Sequence, residues 1–375
     1  MSDSRPATSP VLGVCEPRRA LELLKPYRGE MPAGKLVLAA NESPYNLPKP
    51  VCTQLKEGID AFDFNRYPDP LAQKLRMKIG AAHGISEDRV LIGNGGDELL
   101  LDIMLAWGGA GRKMLQFSPT FTMYGIYAEA LETEIITLPR DSGSFQIDLH
   151  KALDILKNQN INLCIVDNPN NPSGQAIGEH ELCMLIEASD ALFVVDEAYF
   201  EFSGLSMLKY LEKYPNLVIL RTFSKAFSLA GLRLGYVLAQ PAIIEVFAKV
   251  RMPYSVNAFT QWAGELVMDN LAEFDEGVAK IIKVRDWLYV ALRDMDGVEV
   301  WQSHANYLLF RVDNAQAVWQ RLLDEHDIYI RNFGNASGLR NCLRVTIGDN
   351  EQMKRFTAAL RESVRFVNSP CDEMS

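Results

Sequence analysis

The 375-residue sequence lacks several features that mark large classes of protein. It has no apolar run of the roughly 18 residues that a membrane span needs, and its N-terminus lacks the apolar stretch of a secretory signal. Its 6 cysteines never form a Cys-x-x-Cys spacing, and its 5 histidines are dispersed. These absences argue against a disulfide framework, a zinc site and a histidine-centred triad. The sequence therefore predicts no metal and favours a cytoplasmic protein.

Positive charge is scarce: 38 Lys and Arg face 48 Asp and Glu, which gives a formal net charge of -10 at pH 7. An acidic chain is a poor partner for nucleic acid or an anionic membrane, and we expect neither. Local positive groups must therefore bind any anionic ligand. The apolar fraction of 48% is ordinary for a globular protein and is enough for a large core.

Short apolar or β-rich runs alternate with longer helical patterns from Val90 onward. Seven runs are predicted strands: 90–92, 114–117, 134–138, 163–166, 191–195, 217–220 and 236–239. Several are almost continuously apolar, which is typical of strands covered by helices on both faces. The pattern predicts an α/β fold whose large domain has a mostly parallel, helix-covered, seven-stranded sheet.

A second set of predicted strands lies at 298–301, 307–312, 328–331 and 343–347, between helical patterns. It predicts a small α+β domain, which a long helix over 263–292 joins to the large one. We therefore expect five parts: a disordered start at 1–14, an N-terminal arm with part of the small domain at 15–48, the large domain at 49–274, the small domain at 275–367 and a flexible tail at 368–375.

Hydroxyls, glycines, one lysine and one arginine follow the predicted strand at 217–220. Lys225 has small and apolar neighbours, and desolvation there lowers the pKa of an amine and makes it a nucleophile towards aldehydes. Thr222, Ser224 and Arg233 carry donors suited to a phosphate. One aldehyde cofactor with a phosphate is pyridoxal 5′-phosphate. An ordinary loop with a solvated lysine is the alternative.

Other predicted strands also end in residues suited to a ligand, which open parallel sheets bind at the carboxyl ends of their strands. Gly95 and Gly96 begin a helical pattern, where backbone N–H groups attract an anion. An ordinary glycine-rich turn with Asp97 as N-cap is the alternative. Phe121 either stacks on a planar ring or belongs to the core. Asp196 ends a buried strand, where a carboxylate needs a cation such as a protonated ring nitrogen, or else caps a helix.

The string at 222–236, Thr-Phe-Ser-Lys-Ala-Phe-Ser-Leu-Ala-Gly-Leu-Arg-Leu-Gly-Tyr, closely resembles the cofactor-lysine segment of fold-type I pyridoxal-phosphate aminotransferases. The closest likeness is to the class II histidinol-phosphate aminotransferase family. The Gly-Asn-Gly-Gly-Asp-Glu segment at 93–98 and the Asn-Pro-Asn-Asn-Pro-Ser-Gly segment at 168–174 extend it. The resemblance spans residues 38–348 and implies the fold-type I transferase architecture with a large cofactor-binding domain.

The resemblance assigns cofactor roles to individual residues. It implies that Lys225 binds pyridoxal 5′-phosphate covalently, that Asp196 keeps the ring nitrogen protonated, and that Asn171 and Tyr199 contact the phenolic oxygen. Phe121 would stack on the ring, although the family usually has Tyr there. The phosphate would be held by the remaining residues of the motifs: Gly95, Gly96, Asp97, Thr222, Ser224 and Arg233.

The segments at 41–45 and 65–70 resemble the family's Asn-Glu-Asn-Pro-Tyr and Arg-Tyr-Pro-Asp-Pro segments. By resemblance, Tyr67 contacts the cofactor phosphate of the neighbouring subunit, which implies a homodimer. Arg331 and Arg344 would bind the carboxylate or phosphate of the substrate, with Tyr45 and Asn171 beside it; a solvated strand face is the alternative for the arginines. Like Phe121, three other residues depart from the family pattern: Ser43, Asn46 and Asn332.

The resemblance implies ping-pong transamination, in which histidinol phosphate and 2-oxoglutarate give imidazole acetol phosphate and glutamate. Lys225 would move a proton at the substrate carbon, first as general base and then as general acid. Two enzymes compete for the same scaffold, a threonine-phosphate decarboxylase and a broad aromatic aminotransferase. A regulatory domain that binds the cofactor without turnover is the alternative from a different class.

Overall fold

The computed structural model describes residues 18–21, 24 and 32–368. The predicted disordered start at 1–14 lies outside the described residues, as does the predicted tail beyond its first residue. The strands are β1 Leu36–Leu38, β2 Val90–Gly93, β3 Lys113–Ser118, β4 Glu134–Pro139, β5 Leu163–Asp167, β6 Leu192–Asp196, β7 Leu217–Thr222, β8 Gly235–Ala239, β9 Val298–Val300, β10 Tyr307–Val312, β11 Ile328–Asn332 and β12 Cys342–Thr346.

Helices separate most of these strands. They are α1 Lys49–Gly58, α2 Gln73–His83, α3 Gly95–Trp107, α4 Met123–Ala130, α5 Leu149–Asn158, α6 Glu179–Glu187, α7 Phe200–Ser203, α8 Pro241–Phe247, α9 Ala258–Asp269, α10 Ala272–Arg293, α11 Ala315–Asp324 and α12 Asn350–Asn368. The N-cap side chains of Asp148, Asn257 and Asn314 each accept a hydrogen bond from a backbone N–H of the first turn. Such caps satisfy donors that the helix itself leaves unpaired.

The large sheet has seven strands in the order β2-β8-β7-β6-β5-β3-β4. Only β8 is antiparallel to its neighbours, β2 and β7, and the other neighbouring pairs are parallel. The predicted α/β fold with a mostly parallel seven-stranded sheet is therefore confirmed. Because β3, β5, β6 and β7 run in the same direction, their carboxyl ends meet along one edge of the sheet.

Side chains from the two faces of the large sheet enter two different cores. Along β5, Cys164 and Val166 belong to one cluster of buried apolar residues, and Leu163 and Ile165 belong to the other. This alternation is the period of two that any strand imposes. With a core on each face, every residue of β5 is buried, which explains why the four residues before Asp167 are all apolar.

The small sheet has the order β1-β11-β12-β10-β9. Its edge strand β1 comes from the N-terminal part of the chain and pairs in parallel with β11, where Leu36 lies opposite Ile328. The other pairs are antiparallel. A separate apolar core, which includes Phe310 and Phe356, joins this sheet to α10, α11 and α12.

The prediction of one long helix over 263–292 is wrong in one respect, because the structure divides this region into α9 and α10. Asn270 lies at the break, and its side-chain amide donates to Leu266 O at 2.7 Å. That bond satisfies a carbonyl at the end of α9 and lets the chain turn without glycine or proline. Across the described residues, no helix combines the length and apolar character needed to cross a bilayer.

Candidate active site

A cavity of about 740 Å³ lies where β3, β5, β6 and β7 end, and it continues to the small sheet. It is lined by all the residues that the sequence assigned to cofactor or substrate except Gly95, Tyr45 and Tyr67. The four predicted strand ends therefore contribute to one site.

Lys225 follows β7 in the loop before β8 and is half-buried. Its Nζ donates to Ala40 O at 2.9 Å. Burial, reinforced by the nearby positive charge of Arg344, lowers the pKa of Lys225 to about 8. Near this pH a large share of the amine is neutral and nucleophilic.

One end of the cavity is built to hold an anion. Gly95 opens α3 with φ +81, and a Cβ on it would lie 2.8 Å from an Arg233 guanidinium nitrogen. Arg233 donates to Asp97 Oδ2 at 2.8 Å and makes a longer contact with Ser224 Oγ at 3.5 Å. The N-terminus of α3 and the arginine thus face the same space, as in sites that bind phosphate.

Asp97 and Thr222 orient this end of the site. The N-cap of α3 is Asn94, so the alternative of Asp97 as N-cap is wrong; Asp97 lies inside the helix and pairs with Arg233. Thr222 Oγ1 accepts from the Ser224 N–H at 3.1 Å. That bond fixes the turn that leads from β7 to Lys225.

Asp196, the last residue of β6, is 8% exposed. Its two oxygens accept from the Tyr124 hydroxyl at 2.6 Å and from the Ala198 N–H at 3.0 Å. No Lys or Arg in the described part of the chain forms an ion pair with it. Burial raises the pKa of Asp196 to about 7, although the Tyr124 hydrogen bond opposes the rise. The N-cap of the next helix is Tyr199, so Asp196 does not cap that helix.

Tyr199 lies beside Asp196 and is held by a residue that the sequence analysis did not single out. Asn41 Nδ2 lies 2.9 Å from the Tyr199 hydroxyl, and the Asn41 N–H donates to Thr346 Oγ1 at 2.9 Å. Burial raises the pKa of Tyr199 to about 12, and the charge of Arg344 opposes part of the rise. The hydroxyl therefore stays protonated at neutral pH and acts as a donor.

Asn171 and Phe121 form two further walls. The Asn171 N–H donates to Asp167 Oδ2 at 2.9 Å, and its side-chain oxygen accepts from Arg344. Phe121 is half-buried, and its ring meets that of Tyr124 edge to face at 5.6 Å. Phe121 packs partly against the core and also lines the cavity, so both readings of this residue describe part of its environment.

Two arginines form the far end of the cavity. Arg331 on β11 and Arg344 on β12 lie directly opposite each other in the sheet. Their guanidinium groups lie 5.9 and 5.8 Å from the ring of Phe333, which the sequence analysis missed. Like charges directly opposite on neighbouring strands are destabilising. Such a pair is suited to a bound carboxylate or phosphate, which would offset the repulsion.

Tyr67 and Tyr45 do not line the cavity. The Tyr67 side chain is 84% exposed, and its ring lies 4.9 Å from that of Tyr254. Tyr45 packs partly against the apolar core of the small sheet, with Lys280 Nζ 5.9 Å from its ring. Within one chain, these two residues are separate from the rest of the predicted site.

Comparison with known proteins agrees with this architecture. Residues 33–360 match the family of aminotransferase class I and II. The chain is 40% identical over 347 residues to histidinol-phosphate aminotransferase 1 of Carboxydothermus hydrogenoformans, which covers 92% of this chain and 97% of that protein. The crystal structure of histidinol-phosphate aminotransferase from Sinorhizobium meliloti in complex with pyridoxal-5′-phosphate has a TM-score of 0.82 and 26% identity, and covers 88% of this chain and 91% of that one. The chain belongs to the aminotransferase class I and II family.

Proposed function

We propose that this protein transfers the amino group of histidinol phosphate to 2-oxoglutarate, with pyridoxal 5′-phosphate as cofactor. The products are imidazole acetol phosphate and glutamate. One observation carries the proposal: a single cavity combines an amine of lowered pKa, a buried acid that forms no ion pair with a described Lys or Arg, and two opposed arginines. The names of the similar proteins support the choice of substrate.

The side chains of the cavity fit this cofactor. Asp196 is a buried carboxylate that lacks a cation among the described residues, and a protonated ring nitrogen has that charge. The N-terminus of α3 and the guanidinium of Arg233 suit a phosphate, and Gly95 lets the two come close because it has no side chain. These residues lie in the part proposed as the large domain, 49–274. Arg331 and Arg344 lie in the part proposed as the small domain, 275–367. When bound, the cofactor supplies an aldehyde that accepts the amino group and a ring that withdraws electrons.

Lys225 has the central role in this proposal. Its neutral amine would hold the cofactor until the substrate amine displaces it. The same nitrogen would then remove a proton from the substrate carbon as general base and afterwards donate it as general acid. A pKa of about 8 suits both directions of transfer near neutral pH. Tyr199 and Asn171 would donate to the phenolic oxygen, since both side chains line the cavity beside Asp196 and Lys225.

The substrate would be oriented by its charged ends. A guanidinium binds carboxylate or phosphate through two parallel hydrogen bonds, and Arg331 and Arg344 present two such groups side by side. Histidinol phosphate has one phosphate for them, and 2-oxoglutarate has two carboxylates. One arginine pair can therefore serve both halves of the reaction.

The absorbance of the cofactor-loaded protein tests this function. Histidinol phosphate added without any oxo acid should convert the visible band of the lysine-bound cofactor to that of its amine form, and 2-oxoglutarate should restore it. The Lys225→Ala variant should bind cofactor without giving steady-state turnover. An unchanged spectrum, together with release of carbon dioxide from threonine phosphate, would replace the proposal with the decarboxylase alternative.

A second subunit would complete the site. Tyr67 and Tyr254, whose rings are in contact, are exposed, as are the apolar residues Phe64, Leu71 and Met252 close to them along the chain. Exposed apolar residues that form a surface mark protein contacts. We place a second copy of the chain there, with Tyr67 directed at its neighbour's cofactor phosphate. The small-molecule partners remain the amino donor and the oxo acid.

Mixed dimers test this arrangement. Tyr67→Ala and Lys225→Ala should each be nearly inactive, whereas hybrid dimers have one intact site. Random mixing of equal amounts should therefore restore about a quarter of the wild-type activity, because half of the dimers are hybrids. Activity that stays at the level of the separate variants, although hybrids form, would show that Tyr67 acts within its own chain or not at all.

A further inference from the structure

A buried ion pair lies beneath the loop that carries Asn171. Arg140, just after β4, donates to Asp167 Oδ1 at 3.1 Å, and the two side chains are only 1% and 4% exposed. Arg140 also donates to Phe117 O and Phe145 O, each at 3.2 Å. The guanidinium is therefore fixed by the end of β3 and by the turn after β4, and it fixes the Asp167 carboxylate in turn.

Asp167 in turn holds the loop. Asn170 Nδ2 donates to both carboxylate oxygens at 2.9 Å, and the Asn171 N–H donates to Oδ2 at 2.9 Å. The loop contains prolines at 169 and 172, which have no N–H to donate. The loop has bonds of its own, from the Asn170 N–H to Gln175 O at 2.8 Å and from the Gly174 N–H to Asn170 O at 2.7 Å, and the Asp167 carboxylate adds those that hold Asn170 and Asn171 at the end of β5.

The small sheet contacts the same loop from the other side. The Tyr307 hydroxyl donates to Asn170 O at 2.7 Å, and the His304 N–H donates to Gly174 O at 2.8 Å. Gly174 has φ +74, and any Cβ on it would overlap Ser303. The loop is thus packed between the Arg140–Asp167 pair and the small sheet, and Asn171 is the residue that it directs into the cavity.

We propose that Arg140 and Asp167 are positioning residues: the buried pair holds Asn171 where its side chain contacts the cofactor and Arg344. This inference rests on the proposed function, because it takes the cavity as the cofactor site. Arg140 does not line the cavity, and Asp167, which does, already accepts hydrogen bonds from Arg140, Asn170 and Asn171. Their effect on cofactor binding should therefore pass through Asn171.

Asp167→Asn is the informative substitution. Arg140, Asn170 and Asn171 all donate to the Asp167 carboxylate, so an amide in its place turns one of these contacts into donor against donor. Leu156→Ala on α5 is the matched control. It removes a buried side chain that does not line the cavity, and it destabilises the protein without removing a hydrogen bond of the loop.

Hydrogen exchange of the full-length, cofactor-free protein tests the geometric part. Amides in a peptide covering 168–178 should exchange roughly tenfold or more faster in Asp167→Asn than in wild type. In Leu156→Ala this peptide should behave as in wild type after correction for global stability. An unchanged loop in Asp167→Asn, or an equal change in both variants, would overturn the proposal.

A double-mutant cycle tests the functional part. Asp167→Asn should weaken pyridoxal 5′-phosphate binding by about tenfold in the wild-type background and by less than about twofold in the Asn171→Ala background. Equal factors in both backgrounds would mean that Asp167 acts without Asn171, which contradicts the inference. Neither the hydrogen-exchange measurement nor the double-mutant cycle uses an amino donor. If the protein fails to react with histidinol phosphate, that result contradicts the proposed function alone.

Discussion

Asp167 and Asp196 occupy equivalent places in the large sheet and have different partners. They are the last residues of the neighbouring strands β5 and β6, lie opposite each other in the ladder, and are both buried. Asp167 has Arg140 at 3.1 Å, whereas no described Lys or Arg forms an ion pair with Asp196. Glu197, the next residue along the chain, again has its own cation, Arg221 at 2.8 Å.

We propose that the difference separates an acid that stabilises the fold, Asp167, from an acid that binds the cofactor, Asp196. A buried carboxylate with a resident arginine is satisfied and holds two segments together. One without a cation costs free energy, and burial accordingly raises the pKa of Asp196 to about 7. This destabilising carboxylate lies where the positively charged ring nitrogen of the proposed cofactor would bind. The predictions below test whether the acids differ in this way.

Arg221→Met should cause the largest loss of stability, because it leaves Glu197 buried and charged without a cation. Breaking such a pair costs about 3–5 kcal/mol, which urea unfolding of the cofactor-free protein would measure. The double variant Arg221→Met with Glu197→Gln should regain most of the loss, since it removes both charges and keeps an acceptor for the Met207 N–H. If the single variant lowers the free energy of unfolding by less than about 1 kcal/mol, the pair does not stabilise the fold as proposed.

Asp196→Asn should separate activity from stability. Turnover should fall by on the order of 10²–10³-fold, as for other preorganised electrostatic groups, while the cofactor-free protein unfolds at the same or a higher denaturant concentration. Asp167→Asn is the matched substitution and should lower stability, since it leaves Arg140 without an anion. Equal losses of stability in both variants would contradict the distinction.

Tyr124→Phe should weaken cofactor binding by about tenfold, because the Asp196 carboxylate loses a hydrogen bond from a hydroxyl at 2.6 Å. Titration of the cofactor-free protein with pyridoxal 5′-phosphate would measure the dissociation constant. Tyr210→Phe, which loses a contact with Glu179 away from the cavity, is the control and should bind normally. Identical constants for the two variants would show that Tyr124 does not support Asp196.

The raised pKa of Asp196 also predicts a pH dependence of the stability gained in Asp196→Asn. The pKa of Asp196 is about 7 in the folded protein and about 4 when unfolded, so the folded protein binds the extra proton between these values. Wild-type stability therefore falls through this group as pH rises from about 4 to about 7, and changes no further above it. The advantage of Asp196→Asn should grow over that interval, and an advantage independent of pH would contradict the raised pKa.

The sequence located the strand ends because glycines, prolines and acids follow apolar runs in a recognisable order. Asp196 stands directly after such a run, and Lys225 and Asn171 stand a few residues after theirs, so their meeting at one edge follows from parallel strands. The motif around Lys225 then identified the family, which the comparisons confirm.

Residues that reach the site from a distance were missed. Asn41 is separated from Tyr199 by 158 positions, and no local pattern predicts that contact. Tyr124 lies on α4, where an aromatic residue equally suits the core, and its bond to Asp196 depends on how the helix packs on the sheet. The break between α9 and α10 was missed because Asn270 ends the helix through its side chain, without a glycine or proline to mark the place.

The most direct test of the comparison is the ¹⁵N NMR shift of the ring nitrogen of ¹⁵N-labelled pyridoxal 5′-phosphate bound to the protein at pH 8. If Asp196, which has no ion-pair partner among the described residues, binds the protonated ring nitrogen, this nitrogen is protonated in wild type and unprotonated in Asp196→Asn, while Asp167→Asn leaves it protonated. The same shift in wild type and Asp196→Asn would contradict the account, since the acid without a resident cation would then not be the receptor of the cofactor's charge.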